Sequence, residues 1–169
     1  GPIRPVKREV LLPHTEALVE GIDIIETPGH ALHHLSFIVE GNLFAGEAGG
    51  IYVTGKGWEY LRPATPPVFF LKEFLGSIKR LLTGKDLPIC YAHFGRAESS
   101  HHMLKREGAQ LLFWEERIRE EMAKGDHLLT ERCMAKLLAG DPELRAFEAM
   151  SSADQDREKF FMGNSIKGY

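Results

Sequence analysis

Short apolar segments separated by turn residues dominate the first third of the chain and predict β-strands. Residues 22–26 begin with alternating isoleucine and aspartate, as a half-buried strand does, and residues 10–12 predict another short strand before a turn at Gly21. The next two apolar segments, residues 35–39 and 43–45, are separated by the turn sequence Glu-Gly-Asn. These two segments therefore predict an antiparallel hairpin.

The pattern becomes less regular before a second apolar run. Residues 51–53 predict one more short strand, and the glycine-rich residues 54–64 predict a loop. Residues 87–92 are almost wholly apolar, with Pro88 near the start, as in a strand that is buried on both faces. We expect this interior strand to deliver His93 to its carboxyl end.

Helical spacing of apolar residues predicts two long helices. The first begins at Thr65, a capping residue followed by two prolines, and ends at Gly84. The second begins after Ser99 or Ser100 and runs to about residue 124. The apolar face of the first helix contains Phe70, Leu71, Phe74, Leu75, Ile78, Leu81 and Leu82.

The last 45 residues carry helix-start signals and no strand signal. Asp126, the pair Asp141-Pro142 and Ser151 each precede a segment with helical character. We therefore expect an α/β protein in which residues 1–124 form the mixed sheet with its covering helices. Residues 125–169 form an α-helical extension that packs on this part or mediates a homodimer.

Composition excludes several classes of partner. The 169 residues are 43% hydrophobic and 27% charged with a net charge of -3, which is ordinary for a soluble globular protein. Lysine and arginine are scattered, so we expect no nucleic-acid partner, and the lack of a long apolar run argues against a membrane. Cys90 and Cys133 are isolated and are interpreted as buried thiols, which favours a cytoplasmic location.

Three short motifs place histidines or a carboxylate where strand-like segments give way to glycine-containing loops. They are Thr-Pro-Gly-His-Ala-Leu-His-His-Leu-Ser-Phe at residues 27–37, Leu-Phe-Ala-Gly-Glu-Ala at residues 43–48, and Tyr-Ala-His-Phe-Gly at residues 91–95. Imidazole and carboxylate groups at such positions are typical of a metal site on a β scaffold.

These motifs resemble those of the metallo-β-lactamase superfamily of metal-dependent hydrolases. The resemblance covers about residues 21–120 and implies half of an αββα sandwich. It implies that His34 binds a first metal, that His93 binds a second metal and that Glu47 bridges them. It further implies two divalent metals, zinc above all with iron or manganese as alternatives, and hydrolysis of a small-molecule ester, thioester, lactone or phosphoester.

Two features differ from the family pattern. The leading family signature, His-x-His-x-Asp-His, does not occur in residues 1–27, where His14 is the single histidine. The chain is therefore interpreted as the C-terminal half of such a protein, which is inactive alone and has the N-terminal half as its partner. In addition, Glu47 stands where the family usually has aspartate, and the extra methylene moves the carboxylate by about 1.5 Å.

Other interpretations of single residues stay open. Glu47 can be an exposed loop acid. His30 can be a turn residue whose ring hydrogen-bonds the backbone or a carboxylate next to the metal ligands. Tyr52, Trp58 and Tyr60 can line a substrate pocket or a dimer contact. His101 and His102 are adjacent on a predicted helix, about 100° apart, and cannot share one ion. The alternative function is a non-catalytic scaffold or assembly module with a degenerate metal site.

Overall fold

A computed structural model of the chain describes residues 21–93 and 95–169. The strands are β1 (Ile22–Glu26), β2 (Leu35–Val39), β3 (Asn42–Gly46), β4 (Ile51–Gly55), β5 (Trp58–Arg62), β6 (Ile89–Tyr91) and β7 (Arg96–Ala97). The helices are α1 (Leu71–Leu82), α2 (Ser100–Met122), α3 (Leu129–Gly140) and α4 (Ser152–Ile166), with 3₁₀ segments at Glu47–Gly49 and Pro142–Ala149. The mixed α/β class is confirmed. The predicted strand at residues 10–12 lies outside the described residues.

Within the described residues the main sheet has five strands in the order β1-β2-β3-β6-β7. Strands β1, β2 and β3 are antiparallel neighbours, whereas β3 and β6 are parallel. Because β6 has neighbours on both sides, the predicted interior strand is confirmed, although it is shorter than residues 87–92. The carboxyl ends of β3 and β6 therefore lie side by side, which brings the segments after them together.

The predicted hairpin of β2 and β3 is confirmed and has a two-residue turn. Glu40 and Gly41 have φ angles of 48° and 74°, which is the left-handed conformation at both turn positions. Glycine adopts it freely, and the Asn42 side chain donates a hydrogen bond to the Glu40 carbonyl at 3.0 Å.

The prediction of a loop at residues 54–64 is wrong, because β4 and β5 form a second antiparallel hairpin there. The glycines belong to its tight turn, and the residues after them favour strands through their aromatic and branched side chains. Tyr60 and Leu61 are both fully buried and belong to different apolar clusters, Leu61 to that of the main sheet and Tyr60 to that of the C-terminal helices. A strand buried on both faces lacks the polar alternation by which strands are recognised.

The predicted start of the first helix is also wrong. Helix α1 begins at Leu71, six residues after Thr65, which is buried in an extended loop. A proline disfavours helical geometry in the residue before it, so two prolines in sequence delay the helix. At the other end, the Gly84 N–H bonds the Leu81 carbonyl, close to the predicted end.

The capping predictions for the later helices hold in three places. The Ser99 hydroxyl accepts the His102 N–H at the start of α2, and the Asp141 carboxylate accepts the Glu143 N–H. Ser151 likewise accepts a backbone N–H at the start of α4. By contrast, α3 begins at Leu129 without a side-chain cap from the described residues.

The C-terminal helices share a buried core with α2 and β5. This core includes Tyr60, Trp114, Ile118, Leu137 and Met162. The division of the chain at residue 124 stays a prediction. Cys133 is buried as predicted, whereas Cys90 is half-buried. No helix in the described part of the chain is long and apolar enough to cross a membrane.

Candidate metal centre

The segment before β2 fixes the orientation of His34 through a chain of buried hydrogen bonds. The Ser36 hydroxyl donates to the Ala45 carbonyl at 3.0 Å, and Ser36 Oγ lies 2.9 Å from Thr27 Oγ1. Thr27 Oγ1 in turn lies 2.8 Å from His34 Nδ1. Because the one hydroxyl hydrogen of Ser36 is used on Ala45, Thr27 must donate to Ser36 and accept from His34 Nδ1–H.

This chain of bonds determines which ring nitrogen of His34 carries a lone pair. With the proton on Nδ1, a neutral imidazole carries its lone pair on Nε2. That nitrogen accepts the backbone N–H of Glu47 at 3.1 Å. The lone pair of His34 therefore faces the 3₁₀ turn that follows β3.

The Glu47 carboxylate lies between two histidines. Its Oε2 is 3.1 Å from His34 Nε2, and its Oε1 is 3.4 Å from His93 Nε2. The exposed fractions of the side chains are 8% for His34, 23% for Glu47 and 56% for His93, so the group opens to the surface on the His93 side. The structure thus brings together the three residues that the motifs singled out.

Local backbone geometry makes the close approach of His34 and Glu47 possible. Gly46 has φ 58°, and a Cβ atom at this position would lie 2.5 Å from His34 Nε2. Only glycine combines this conformation with so close an imidazole. The glycine before Glu47 is therefore part of the site.

Electrostatics keep Glu47 ionised. Partial burial alone would raise the pKa of its carboxyl, but His30, the backbone N–H of Glu47 and His34 together lower it. With the His34 proton on Nδ1, His34 Nε2 and Glu47 Oε2 are two acceptors 3.1 Å apart, and the stabilising effect of His34 on the ionised carboxylate requires a proton or a metal cation between these two atoms.

The fit to a metal is incomplete within the described chain. Residues 21–93 and 95–169 contain no group of three or more histidine, cysteine, aspartate or glutamate side chains placed to hold an ion. His34 and Glu47 have the donor atoms and mutual distance of a ligand pair, and His93 is in contact with the same carboxylate. A complete tetrahedral zinc site needs four ligands.

The other predicted site residues lie in different surroundings. His30 Nδ1 is 2.6 Å from the Ala64 carbonyl, and its ring lies edge-on to that of His34. Tyr52 is buried against Tyr91, and its hydroxyl donates to Glu59 Oε2 at 2.8 Å. Burial and Glu59 raise the pKa of Tyr52 to about 12. Tyr52 does not line the cavity that contains Glu47 in its wall, which is described next.

This cavity has a volume of about 630 Å³ and extends from Glu47 and His93 to α4. Glu47, His93 and His30 lie on its lining. The residues contributed by β4 and β5 are Ile51, Val53, Trp58 and Arg62, and those from α4 and the residue pair before it include Met150, Asp154, Arg157, Glu158 and Phe161. Its volume is in the range of small-molecule sites.

Sequence reasoning missed most of this lining. The sequence allowed Trp58 to line a pocket or a dimer contact, and it lines this cavity. No sequence signal indicated Phe161 or the buried ion pair in which Arg62 Nε lies 2.5 Å from Glu158 Oε2. These partners are separated by about a hundred positions, and no local pattern relates them. A buried-strand interpretation of residues 58–62 would have placed Arg62 at the end of a strand that is buried on both faces.

Comparison with known proteins agrees with the motifs. The chain is 36% identical over 94 residues to a metallo-β-lactamase fold-containing protein, ST1585, from Sulfurisphaera tokodaii, a match that covers 52% of this chain and 34% of the relative. The chain therefore spans about a third of the length of this curated relative. No family model matches the sequence.

Two solved structures are similar to parts of the chain. One is the archaeal metallo-β-lactamase superfamily protein ST1585 from Sulfolobus tokodaii, with TM-score 0.47, 34% identity, and coverage of 54% of this chain and 33% of that one. The other is the metallo-β-lactamase family protein TTHA1429 from Thermus thermophilus, with TM-score 0.42, 24% identity, and coverage of 87% and 42%.

Over 94 residues the chain is thus similar to a metallo-β-lactamase fold-containing protein, in agreement with the resemblance of its motifs. This similarity by itself assigns neither a substrate nor a reaction.

Proposed function

We propose that this chain contributes His34, Glu47 and His93 to the metal site of a metal-dependent hydrolase. The observation that carries the proposal is the Glu47 carboxylate, whose two oxygens contact the two imidazoles separately. A carboxylate in this position suits a bridge between two metals, with His34 on one and His93 on the other.

Zinc is the first candidate, with iron or manganese as alternatives, because imidazole and carboxylate ligands suit all three. When bound, such a metal lowers the pKa of a water molecule toward neutrality and polarises the substrate's carbonyl or phosphoryl oxygen. The protein itself keeps the Nε2 lone pair of His34 directed toward Glu47 through Thr27 and Ser36. Substrates of the proposed class are small esters, thioesters, lactones or phosphoesters.

We further propose that another polypeptide segment completes the site. Three candidate ligands divided over two metals leave each ion short of the usual four. A half of the fold carrying His-x-His-x-Asp-His would supply the remainder, and we expect the chain alone to bind metal weakly and to be inactive.

Zinc titration of the chain alone, followed by the histidine NMR signals, tests the ligand set. We expect weak binding in which His34 and His93 shift at the same zinc concentration, because both contact Glu47. The Glu47→Ala variant should lose this common response. Glu98→Ala, which changes an exposed glutamate outside the cavity, should retain it.

The outcomes separate the parts of the proposal. Shifts confined to other histidines, or an unchanged response in Glu47→Ala, would remove Glu47 from the site. Tight binding of two zinc ions by the chain alone would contradict the need for a completing segment. Adding a polypeptide with the His-x-His-x-Asp-His half should raise zinc affinity and produce hydrolysis.

A non-catalytic scaffold is the second candidate function. It is favoured by the lack of a complete metal-holding group within residues 21–93 and 95–169. If the completed fold binds no metal, this alternative is supported and the hydrolase proposal fails.

A further inference from the structure

The wall of the cavity away from Glu47 is mainly apolar. Trp58 and Ile51 come from the second hairpin, and Phe161 and Met150 come from the C-terminal region. Trp58 is half-buried and Phe161 is 40% exposed, so both aromatic rings present surface to the cavity. Aromatic and aliphatic surfaces of this kind bind apolar groups of small molecules.

The charged groups in the same wall are already paired with each other. Arg62 Nε is 2.5 Å from Glu158 Oε2, and both side chains are almost fully buried. Arg157 contacts Asp154 at 3.0 Å and Glu158 at 3.8 Å. Among the described residues of this wall, two arginines therefore face two carboxylates, and no surplus charge is left to attract a charged ligand.

Arg62 also supports the aromatic surface. Its guanidinium carbon lies 5.2 Å from the centre of the Phe161 ring, within the range of a cation–π contact. Because the Arg62 Nε–H also donates to the buried Glu158 carboxylate, this ion pair holds the guanidinium next to the ring. This pre-organised surface lowers the cost of ordering a ligand against it.

We propose that this cavity binds an uncharged apolar acyl group, aliphatic or aromatic, of the substrate whose carbonyl lies beside Glu47 and His93. The inference rests on the proposed hydrolase function for the placement of the carbonyl. The apolar wall binds without a metal, so its ligand can be tested independently of hydrolysis. Helix α4 then determines which acyl groups are accepted.

The test uses neutral amides, which carry the acyl group without a charge. Octanamide supplies an aliphatic chain, 4-phenylbutanamide an aromatic one, and acetamide neither. Each is titrated into the full chain in the presence of EDTA, with Trp58 fluorescence and calorimetry as readouts. Trp114 is fully buried in the helical core and does not line the cavity, so Trp58→Phe identifies the signal that arises there.

Neighbouring phenylalanines on α4 provide matched variants. Phe161 lines the cavity, whereas Phe160 is 64% exposed and does not line it. Phe161→Ser should weaken amide binding about five- to tenfold through loss of an aromatic contact. Phe160→Ser removes an edge contact with the Phe161 ring but no cavity surface, so it should bind nearly like the original chain and controls for damage to the helix.

The results decide the inference in either direction. Binding of octanamide or 4-phenylbutanamide but not acetamide, with the expected difference between the two serine variants, supports it, and the stronger ligand identifies the acyl type. Equal binding of all three amides, no binding of any, or equal effects of Phe160→Ser and Phe161→Ser would overturn it. If the amides bind as expected but the completed fold binds no metal, the proposed function fails while the apolar site remains.

Discussion

Glu107 on α2 is a buried acid whose replacement should stabilise the chain. Its side chain is fully buried, and neither carboxyl oxygen has a hydrogen-bond partner among the described residues. It packs so closely on Gly50 that a Cβ there would lie 2.3 Å from Glu107 Oε2. Burial, with added repulsion from Asp141, raises its pKa from 4.5 to about 8, although Arg62 opposes the shift.

The raised pKa makes stability fall as pH rises. Below pH 4.5 the carboxyl is protonated in the folded and unfolded states, so its ionisation does not change the free energy of unfolding. Above that pH the carboxyl ionises first in the unfolded chain. Each further pH unit then lowers the free energy of unfolding by about 1.4 kcal/mol, until the folded state also ionises near pH 8. The cost is therefore about 1 kcal/mol at pH 5, about 3 kcal/mol at pH 7 and about 4 kcal/mol at pH 8.

Glu107→Gln keeps the shape and removes the ionisation. We expect its free energy of unfolding to exceed that of the original chain by these amounts at each pH, since both side chains leave a neutral polar group unpaired. Urea unfolding followed by circular dichroism at pH 5, 6, 7 and 8 measures the difference. Glu116→Gln, at an exposed position on the same helix, is the matched control and should show little pH-dependent change.

The pH dependence is the decisive result. A stability difference between Glu107→Gln and the original chain that is the same at pH 5 and pH 8 would refute the reasoning, because a carboxylate without a raised pKa produces no such slope. A less stable Glu107→Gln at pH 8 would show that the ionised carboxylate has a favourable partner in the folded protein.

Three further predictions concern the candidate metal centre. Gly46→Ala should lower the free energy of unfolding by about 1–3 kcal/mol, measured by urea unfolding, because φ 58° suits glycine and the new Cβ meets His34 Nε2. Ser36→Ala should free the Thr27 hydroxyl, so ¹⁵N NMR should show His34 with a smaller Nδ1–H population and zinc affinity should fall about 10–100-fold; an unchanged tautomer would contradict the hydrogen-bond chain. Glu47→Asp in the completed fold should lower metal occupancy, measured by elemental analysis, because the carboxylate retreats by about 1.5 Å; a rise would instead identify Glu47 as a degenerate remnant.

Local sequence signals predicted the elements whose causes are local. The turn between β2 and β3 and the cap at Ser99 depend on a few adjacent residues, and both are confirmed. Strand β5 was missed because Tyr60 and Leu61 are buried on opposite faces, which removes the polar alternation. Propensity could not show this, since it depends on helices that follow later in the chain.

The candidate site was predictable only in part. His34, Glu47 and His93 were found through motif resemblance, and the structure places them in contact. The hydrogen bonds that orient His34 required knowledge of the β2–β3 pairing. Glu107 was not found at all, because glutamate on a helix is ordinarily exposed.

Strand β5 has one further consequence for how the chain unfolds. Its successive residues Tyr60 and Leu61 are buried in two different cores, so this strand is a common wall between the sheet and the C-terminal helices. If either core unfolds, the apolar side chains on the strand face that it covered become exposed to water, and the other core cannot cover them. We therefore expect the sheet and the C-terminal helices to unfold together in a single cooperative transition.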